Sequence, residues 1–482
     1  MAAKTVADKS PAVLAMEKHW ALVGSLLGGT DTMRAAGEAL LPKWPNEDDK
    51  DYDFRRKVSV LFPAYTRTVE TLTGKPFSKP ITVGEDVPEQ IQALLDDVDL
   101  QGRNLDAFAS DIMEAALGFG LAGILVEFPD ANEAAVERNA QGVTTMAAER
   151  KAGLRPYLVQ IRCTQILGWK ARREKGEWKL LQLRFFETVE QDDGEFGAAE
   201  VTQIRVLEPG KWSTYRKGEG TQKDEWIQHK KGVTTLDFVP FVPVYGKRLG
   251  FMVAKPPMLE LAHLNVKHWQ SQSDQDNLLH VARVPILTII GIDDEKWKLT
   301  VGSSAAVKLP MNADMKFTEH SGAAITAGKT SLDDLKEEMR QAGAELLVIK
   351  PGVITATEVT TENAVGMCAL QRIVQGLEDA LDLALQYMAE WLKLEQGGHV
   401  TLFNDFGAAT LAEASAQLLL ESAKAGKISD ETYHGELQRR GILSPDVDWD
   451  TEKDRIEEQG PALGTLPDPT EDPNRRPEPA GA

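Results

Sequence analysis

Residues 256–291 read PPMLELAHLNVKHWQSQSDQDNLLHVARVPILTIIG, and the fold turns on how they are read. Prolines at 256 and 257 suit a helix start, and Leu261, Leu264 and Val266 give its first turns an apolar side. The middle, QSQSDQDN, is polar on every face. A helix of that kind is not expected in the core of one chain; it bridges domains, rests on neighbouring subunits, or does not form. If 256–283 is one helix, a rise of 1.5 Å per residue makes it roughly 42 Å long.

Downstream, VPILTIIG, SAAVKLP and MKFTEH read as three short strands of a small β-containing insertion. A second helix is expected from SLDDLKEEMRQAGAELL, with Thr330 or Ser331 as its cap and Lys350-Pro351-Gly352 after it. Next, VITATEVTTENAVG shows no strong period. The clearest helix follows over 361–395, where Leu370, Ile373, Val374, Leu377, Leu381, Ala384 and Met388 recur every three or four residues; Gly397-Gly398 is its expected stop. A short strand, HVTLFNDF, and helices over AATLAEASAQLLLESAKAG and 429–440 come next. From Gly460 the chain is rich in proline and charge and is expected to be disordered.

Upstream, 11–73 has helical periodicity, and NLDAFASDIMEAALG predicts a helix over 104–118 capped by Asn104, leading into the strand ILVEF. Between 154 and 247 the pattern is that of an antiparallel sheet, with turns expected at Lys175-Gly176, Asp193-Gly194, Pro209-Gly210 and Lys231-Gly232. Trp169, Trp178, Trp212 and Trp226 are expected to pack on one face of that sheet. The fold class is therefore α+β.

The chain has 482 residues, enough for two to four structural units at ~100–200 residues each. Its 74 acidic and 54 basic residues give a net charge of -20, which disfavours tight gripping of nucleic acid by phosphate neutralisation but not a surface along which DNA slides. Cys163 and Cys368 are far apart and suggest neither a disulfide framework nor a zinc site. The absence of a signal-like start and of a long apolar run predicts a soluble chain that is not secreted and has no membrane partner.

One candidate for chemistry is AAITAGKT, residues 323–330, a relaxed phosphate-loop pattern in which Lys329 would reach outer phosphates and Thr330 would hold magnesium. Ala323 in place of the first glycine and the lack of a βαβ succession count against this nucleotide-binding enzyme reading. His263, His268 and His280 are spaced by five and twelve and share no i, i+4 face for a metal. No catalytic residue, metal site or cofactor is expected. Two helices with weak apolar stripes around a β insertion instead point to a ring or tube of repeated subunits.

The order of these elements resembles the portal (head-to-tail connector) family of tailed bacteriophages. The resemblance rests on LLPKWPNEDDKDYDFRRKVSVLFPAYTRTVETLTGKPFSKP, LDAFASDIMEAALGFGLAGILVEFP, the opening stretch above, and VTLFNDFGAATLAEASAQLLLESAKAGKIS, spanning about 40 to 430. It implies a ring, usually of about twelve subunits, at one capsid vertex of the virion, assembled in the host cytoplasm. The wing would be 1–255, the stem helices 256–283 and 331–348, and the clip 284–330. A tunnel loop would span 349–361, a long helix 362–399, the crown 400–455 and a C-terminal tail 456–482.

Its implied partners are double-stranded DNA in the channel, the terminase large subunit, head-tail adaptor or tail proteins, and the major capsid and scaffold proteins. Lys329, Lys336, Arg340, Lys350, Thr355 and Thr357 would face the channel. Asp293, Asp294, Glu295, Lys296 and Trp297 would meet the motor or adaptor, with Trp297 as the anchor. Leu264, His268, Trp269 and Gln272 would pack stems of neighbouring subunits together. A smaller structural ring of the virion, such as a tail adaptor, is a further alternative.

Overall fold

The computed structural model describes residues 5–129, 153–194, 196–218, 223, 225–283, 286–291, 314–318, 322–347, 367–406, 419–439, 443 and 447–459. The chain divides into two units, Met1–Asn404 and Asp405–Ala482.

The first unit begins with α1 (Pro11–Leu27), α2 (Gly29–Ala36), α3 (Asp49–Val58), α4 (Ala64–Gly74), the strand β1 (Thr82–Val83), the single turn α5 (Glu89–Gln92) and α6 (Leu105–Phe119). Local chemistry sets their starts. The Ser10 hydroxyl accepts from the Val13 amide ahead of Pro11, Asp48 from Lys50, and Asn104, as expected, from Ala107. Val13, Met16, Trp20, Val23 and Leu26 recur at helical spacing and bury one side of α1, while the Trp20 indole donates to the Phe119 carbonyl at 3.1 Å.

Strand β2 (Leu121–Glu127) lies between β3 (Tyr157–Arg162) and β9 (Phe241–Tyr245), antiparallel to both. Gly120 makes the turn from α6 into β2 at φ 87°, and a Cβ there would lie 2.2 Å from the Lys255 carbonyl carbon, so both the angle and the space demand glycine. A second sheet runs in the order β4 (Ile166–Glu174), β5 (Glu177–Asp193), β6 (Gly197–Glu208), β7 (Lys211–Lys217), β8 (Trp226–Val233). The hairpin β10 (Lys247–Gly250) and β11 (Val253–Lys255) follows β9.

Val13, Met16 and Trp20 of α1 share a core with Leu121, Leu125, Ile161, Leu183, Phe185, Leu207 and Phe241. On the other face of the second sheet, Leu167, Ile204 and Val206 are covered by Val6 and Ala7. Arg184 holds that N-terminal segment in place by donating to the carbonyls of Val6 (2.5 Å) and Asp8 (3.0 Å). Trp169 and Trp212 pack against the first core and Trp226 against the second, whereas Trp178 is 55% exposed and stacks on Phe251.

Next come α7 (Leu259–Ala282), the antiparallel pair β12 (Ile286–Ile290) and β13 (Asp314–Thr318), α8 (Ala323–Ala344), α9 (Ala369–Leu392) and β14 (Val400–Thr401), which pairs with β1. α9 buries Ile373, Val374, Leu377, Leu381, Ala384 and Met388, matching its sequence period. From its flank, Glu378 and Asp382 accept the backbone amides of Leu402 (2.7 Å) and Val400 (2.8 Å), so carboxylates one turn apart grip alternate residues of the strand region.

Several boundaries differ from expectation. Lys231-Gly232 lies inside β8, opposite Trp212, whose indole occupies the space where a Cβ on Gly232 would be. α8 starts at Ala323, after Gly322 at φ 71°, so neither Thr330 nor Ser331 is a cap. α9 starts at Ala369, where Cys368 and Gln371 form a reciprocal cap, and ends with Lys393 in the left-handed region rather than at Gly397-Gly398. SAAVKLP, the segment 349–366 and the tail from 460 lie outside the described residues.

In the second unit, α10 (Asp430–Arg439) is capped by the Ser429 hydroxyl, which accepts from the Thr432 amide. An additional helix, α11 (Trp449–Gln459), places Trp449 against His434 with ring centroids 5.3 Å apart.

Gly120→Ala is expected to lower stability by about 2–4 kcal/mol, because it adds both φ strain and a backbone clash; urea unfolding followed by far-UV circular dichroism measures this.

Candidate functional site

The chain's most distinctive arrangement is the hairpin of α7 and α8. Gln275 of α7 donates to the Ile325 carbonyl at 3.0 Å, and Leu261 lies beside Gly343, so the two helices run antiparallel with the β12–β13 pair joining their far ends. A Cβ on Gly328 would fall 2.0 Å from the Gln275 side-chain oxygen, so the glycine lets the amide reach the helix backbone. Residues 323–330 are helical throughout, and the Thr326 amide donates to Gly322. The phosphate-loop reading is thus corrected: these amides build a helix, and Gly328 serves helix contact.

The polar belt of α7 is partly buried inside its own chain, contrary to the expectation that it needs other subunits. Asn265 accepts from the Tyr65 amide and donates to the Phe62 carbonyl (2.9 and 2.8 Å), and Gln270 donates to the Leu40 carbonyl at 3.0 Å. Ser273 is buried, 2.8 Å from the Ser59 hydroxyl, and Gln272 bonds along the helix to Asp276 at 2.7 Å. Amides reaching backbone carbonyls extend the short buried apolar face of Leu261, Ala262 and Trp269.

At the centre of this seam is Arg55 of α3. Its guanidinium forms a two-pronged pair with Glu47 (2.6 and 2.7 Å), donates to the Pro42 carbonyl at 2.9 Å, and lies 4.2 Å from the Trp44 ring centroid. From α7, Ser273 stands 3.5 Å and Asp274 3.7 Å away. Both side chains of the Arg55–Glu47 pair are 3% exposed. The hydrogen bond from Arg55 holds the Glu47 carboxyl below the usual range against the opposing effect of burial; Asp274, about half exposed, has its carboxyl pushed up by partial desolvation against the opposing pull of Arg55. Sequence reasoning missed this node, since nothing local in DFRRK shows which arginine will meet an acid eight residues upstream.

The four residues expected to pack between subunits divide. Leu264 and Gln272 are half-buried, whereas His268 and Trp269 are buried within the chain and so are not available to a neighbour. The His268 ring lies 5.4 Å from Phe62, and neither of its nitrogens has a partner among the described residues. Burial, aided by the Lys336 ammonium, pushes its pKa down.

Lys329, Lys336 and Arg340 fall on one strip of α8, within about 40° of each other at ~100° per residue. Lys329 is exposed, Lys336 pairs with Asp333 at 3.4 Å, and Arg340 pairs with Glu337 at 2.5 Å. Leu332, Leu335 and Met339, centred about 90° round the helix from that strip, are buried. Lys350, Thr355, Thr357 and the segment Asp293, Asp294, Glu295, Lys296 and Trp297 lie outside the described residues. Among the described residues, no cluster of three metal-ligating side chains occurs, and no helix is long and apolar enough to cross a membrane. The arrangement is an antiparallel helical hairpin with a partly neutralised basic strip.

A family described as a domain of unknown function, DUF4055, matches residues 257–392, running from the start of α7 to the end of α9. No curated protein matches the chain. Among solved structures, the chain is similar to one described as the neck of a native GTA particle computed with C12 symmetry, at 14% identity and TM-score 0.39 over 79% of this chain and 89% of that one. It is similar also to one described as the virion of a native gene transfer agent particle, at 14% identity and TM-score 0.38 over 83% and 96%. Likenesses this weak carry neither a fold nor a function to the chain.

Arg55→Ala is expected to cost about 3–5 kcal/mol by leaving Glu47 buried and unpaired. Because the Glu47 pKa is depressed on folding, its stabilisation is present above the ordinary carboxylate range and is lost as pH falls below about 4.5. Urea midpoints measured between pH 3 and 7 should therefore fall less steeply with acid for Glu47→Gln than for wild type.

Proposed function

We propose that the chain is a portal protein. About twelve copies would form a ring at one capsid vertex, through which double-stranded DNA is packaged and ejected and to which the tail attaches. The observation that carries this reading is the antiparallel α7–α8 hairpin ended by β12–β13, the unit expected for a stem and clip on the sequence resemblance. On this reading, the sheets and helices up to residue 255 are the wing, with the second stem helix beginning at Ala323 rather than at 331. The clip segment, including Asp293 to Trp297, would meet the terminase large subunit during packaging and an adaptor or tail protein afterwards. Capsid and scaffold proteins would surround the wing.

The mechanism is electrostatic and needs no bond chemistry in this chain. A ring of acidic chains repels phosphate, which keeps DNA from adhering. The strip of Lys329, Lys336 and Arg340, with two of its three cations paired to carboxylates on their own helix, would offer weak, repeated holds. Lys350, Thr355 and Thr357 would line the narrowest part of the tunnel. The ATPase that supplies the work would be a separate chain. The helix–β–helix unit and the chain length favour a portal over a smaller adaptor ring.

Mass photometry with negative-stain imaging in moderate salt tests the assembly: annular particles of roughly 640 kDa, twelve times 53.0 kDa, are expected, and a monomer at every salt concentration would overturn the ring. In rings of unchanged mass, Lys329→Glu with Arg340→Glu should weaken retention of duplex DNA at low salt about threefold to tenfold. Undiminished retention would remove the strip from the channel.

A further inference from the structure

Beyond Phe185, β5 has no partner from β4, and before Gln203, β6 has none from β7. The six pairs from Thr188↔Thr202 to Asp193↔Gly197 therefore form a two-stranded ribbon that extends roughly 20 Å past the sheet, braced from β7 by Arg216, which donates to the Gln191 side chain at 3.2 Å. Such a ribbon is marginal in water by itself. At its tip, Phe196 is 95% exposed. Glu190 and Glu200 are directly opposite each other, a repulsive cross-strand pair, and Asp192 shares their face. Among the described residues none of these carboxylates has a cation partner. Both the bare aromatic tip and the unbalanced charge call for a surface that is aromatic and basic.

The same strand carries such a surface at its other end. There the β4–β5 turn meets the β10–β11 hairpin through Trp178 stacked on Phe251, ring centroids 5.8 Å apart. Leu249, 62% exposed, lies on that hairpin. Arg173 near the end of β4, Lys175 on the turn, and Lys247 and Arg248 on β10 are exposed and have no carboxylate partner among the described residues; of the acids on that turn, Glu174 is paired with Arg172 and Lys179, which leaves Glu177 against these four cations. Arg248 lies over the Tyr245 ring at 4.9 Å. The two ends are separated by the 17 residues of β5, roughly 55 Å, so the finger of one chain cannot reach its own patch.

We propose that the Phe196 finger of one copy docks on the Trp178–Leu249 patch of the next. Tip and patch are different surfaces, so the contact is head-to-tail, the type that closes into a ring when the rotation permits. Phe196 enters among Trp178, Phe251 and Leu249, while Lys247 and Arg248 neutralise the Glu190–Glu200 pair. The inference deepens the ring reading, on which it rests, by naming the surfaces that join neighbouring wings.

The full-length double variant Phe196→Cys with Leu249→Cys tests it by oxidation or a short bismaleimide, since the native Cys163 and Cys368 are both buried. A ladder of covalent multimers on denaturing gels is expected, absent from either single variant. Glu190→Lys with Glu200→Lys should lower the ladder yield about tenfold at low salt, and adding Lys247→Glu with Arg248→Glu should restore it. The mass of the wild type decides the ring separately. Rings without a ladder would overturn the finger contact and leave the ring standing. A ladder from a chain that never closes would keep the contact and overturn the ring. Neither ladder nor ring would overturn both.

Discussion

The register of α7 against the N-terminal helices is fixed by a polar seam that meets the buried pair of Arg55 and Glu47. α7 has no continuous apolar stripe to hold it against the body of the protein, so its attachment is directional: amides of Asn265 and Gln270 reach carbonyls of the N-terminal helices, and Ser273 and Asp274 face Arg55. An apolar seam tolerates sliding by a fraction of a turn. A seam of hydrogen bonds and one desolvated ion pair does not, because each donor moved out of place is left buried without a partner. The cost of taking both charges out of water is offset by the two-pronged geometry, the Pro42 carbonyl and the Trp44 ring. What is obtained is a fixed position and register for the arm.

Much of this was legible from residue pattern, for identifiable reasons. α1, α6 and α9 repeat their apolar residues at helical spacing, and Asn104 caps α6 as its chemistry suggests, because these signals are local. The turns at Lys175-Gly176 and Asp193-Gly194 were readable because positive φ selects glycine. The polar belt misled in part, because Gln270 reaches a backbone carbonyl 230 residues away and Ser273 meets Ser59 and Arg55, which no spacing rule shows. AAITAGKT suggested a loop through its glycine and hydroxyls, while the need for that glycine comes from Gln275 on another helix. His268 and Trp269 were assigned outward for the same reason: a helix without a clear stripe gives no phase, and packing against Phe62 sets it instead.

For the proposed channel, the unevenness of the charge matters as much as its total. A net charge of -20 spread evenly would give a repulsive wall, whereas the α8 strip sets cations beside acids on the same helix. Such pairs are weak and exchange readily with a passing phosphate, the property a sliding contact requires. Tight, unpaired arginines would hold DNA in place.

The long strand β5 also acts as a spacer. Since its two ends are the proposed contact surfaces, its length sets the distance between neighbouring copies, and hence the circumference of a ring whose subunit number is set by the rotation between them. The alternation of side chains along a strand limits how that distance can change in evolution. Inserting one residue would turn every later side chain to the opposite face, exchanging core for solvent. Two residues would preserve the faces and lengthen the spacer by roughly 7 Å. The circumference of such an assembly would therefore change in even steps, with parity as an inherited constraint on ring size.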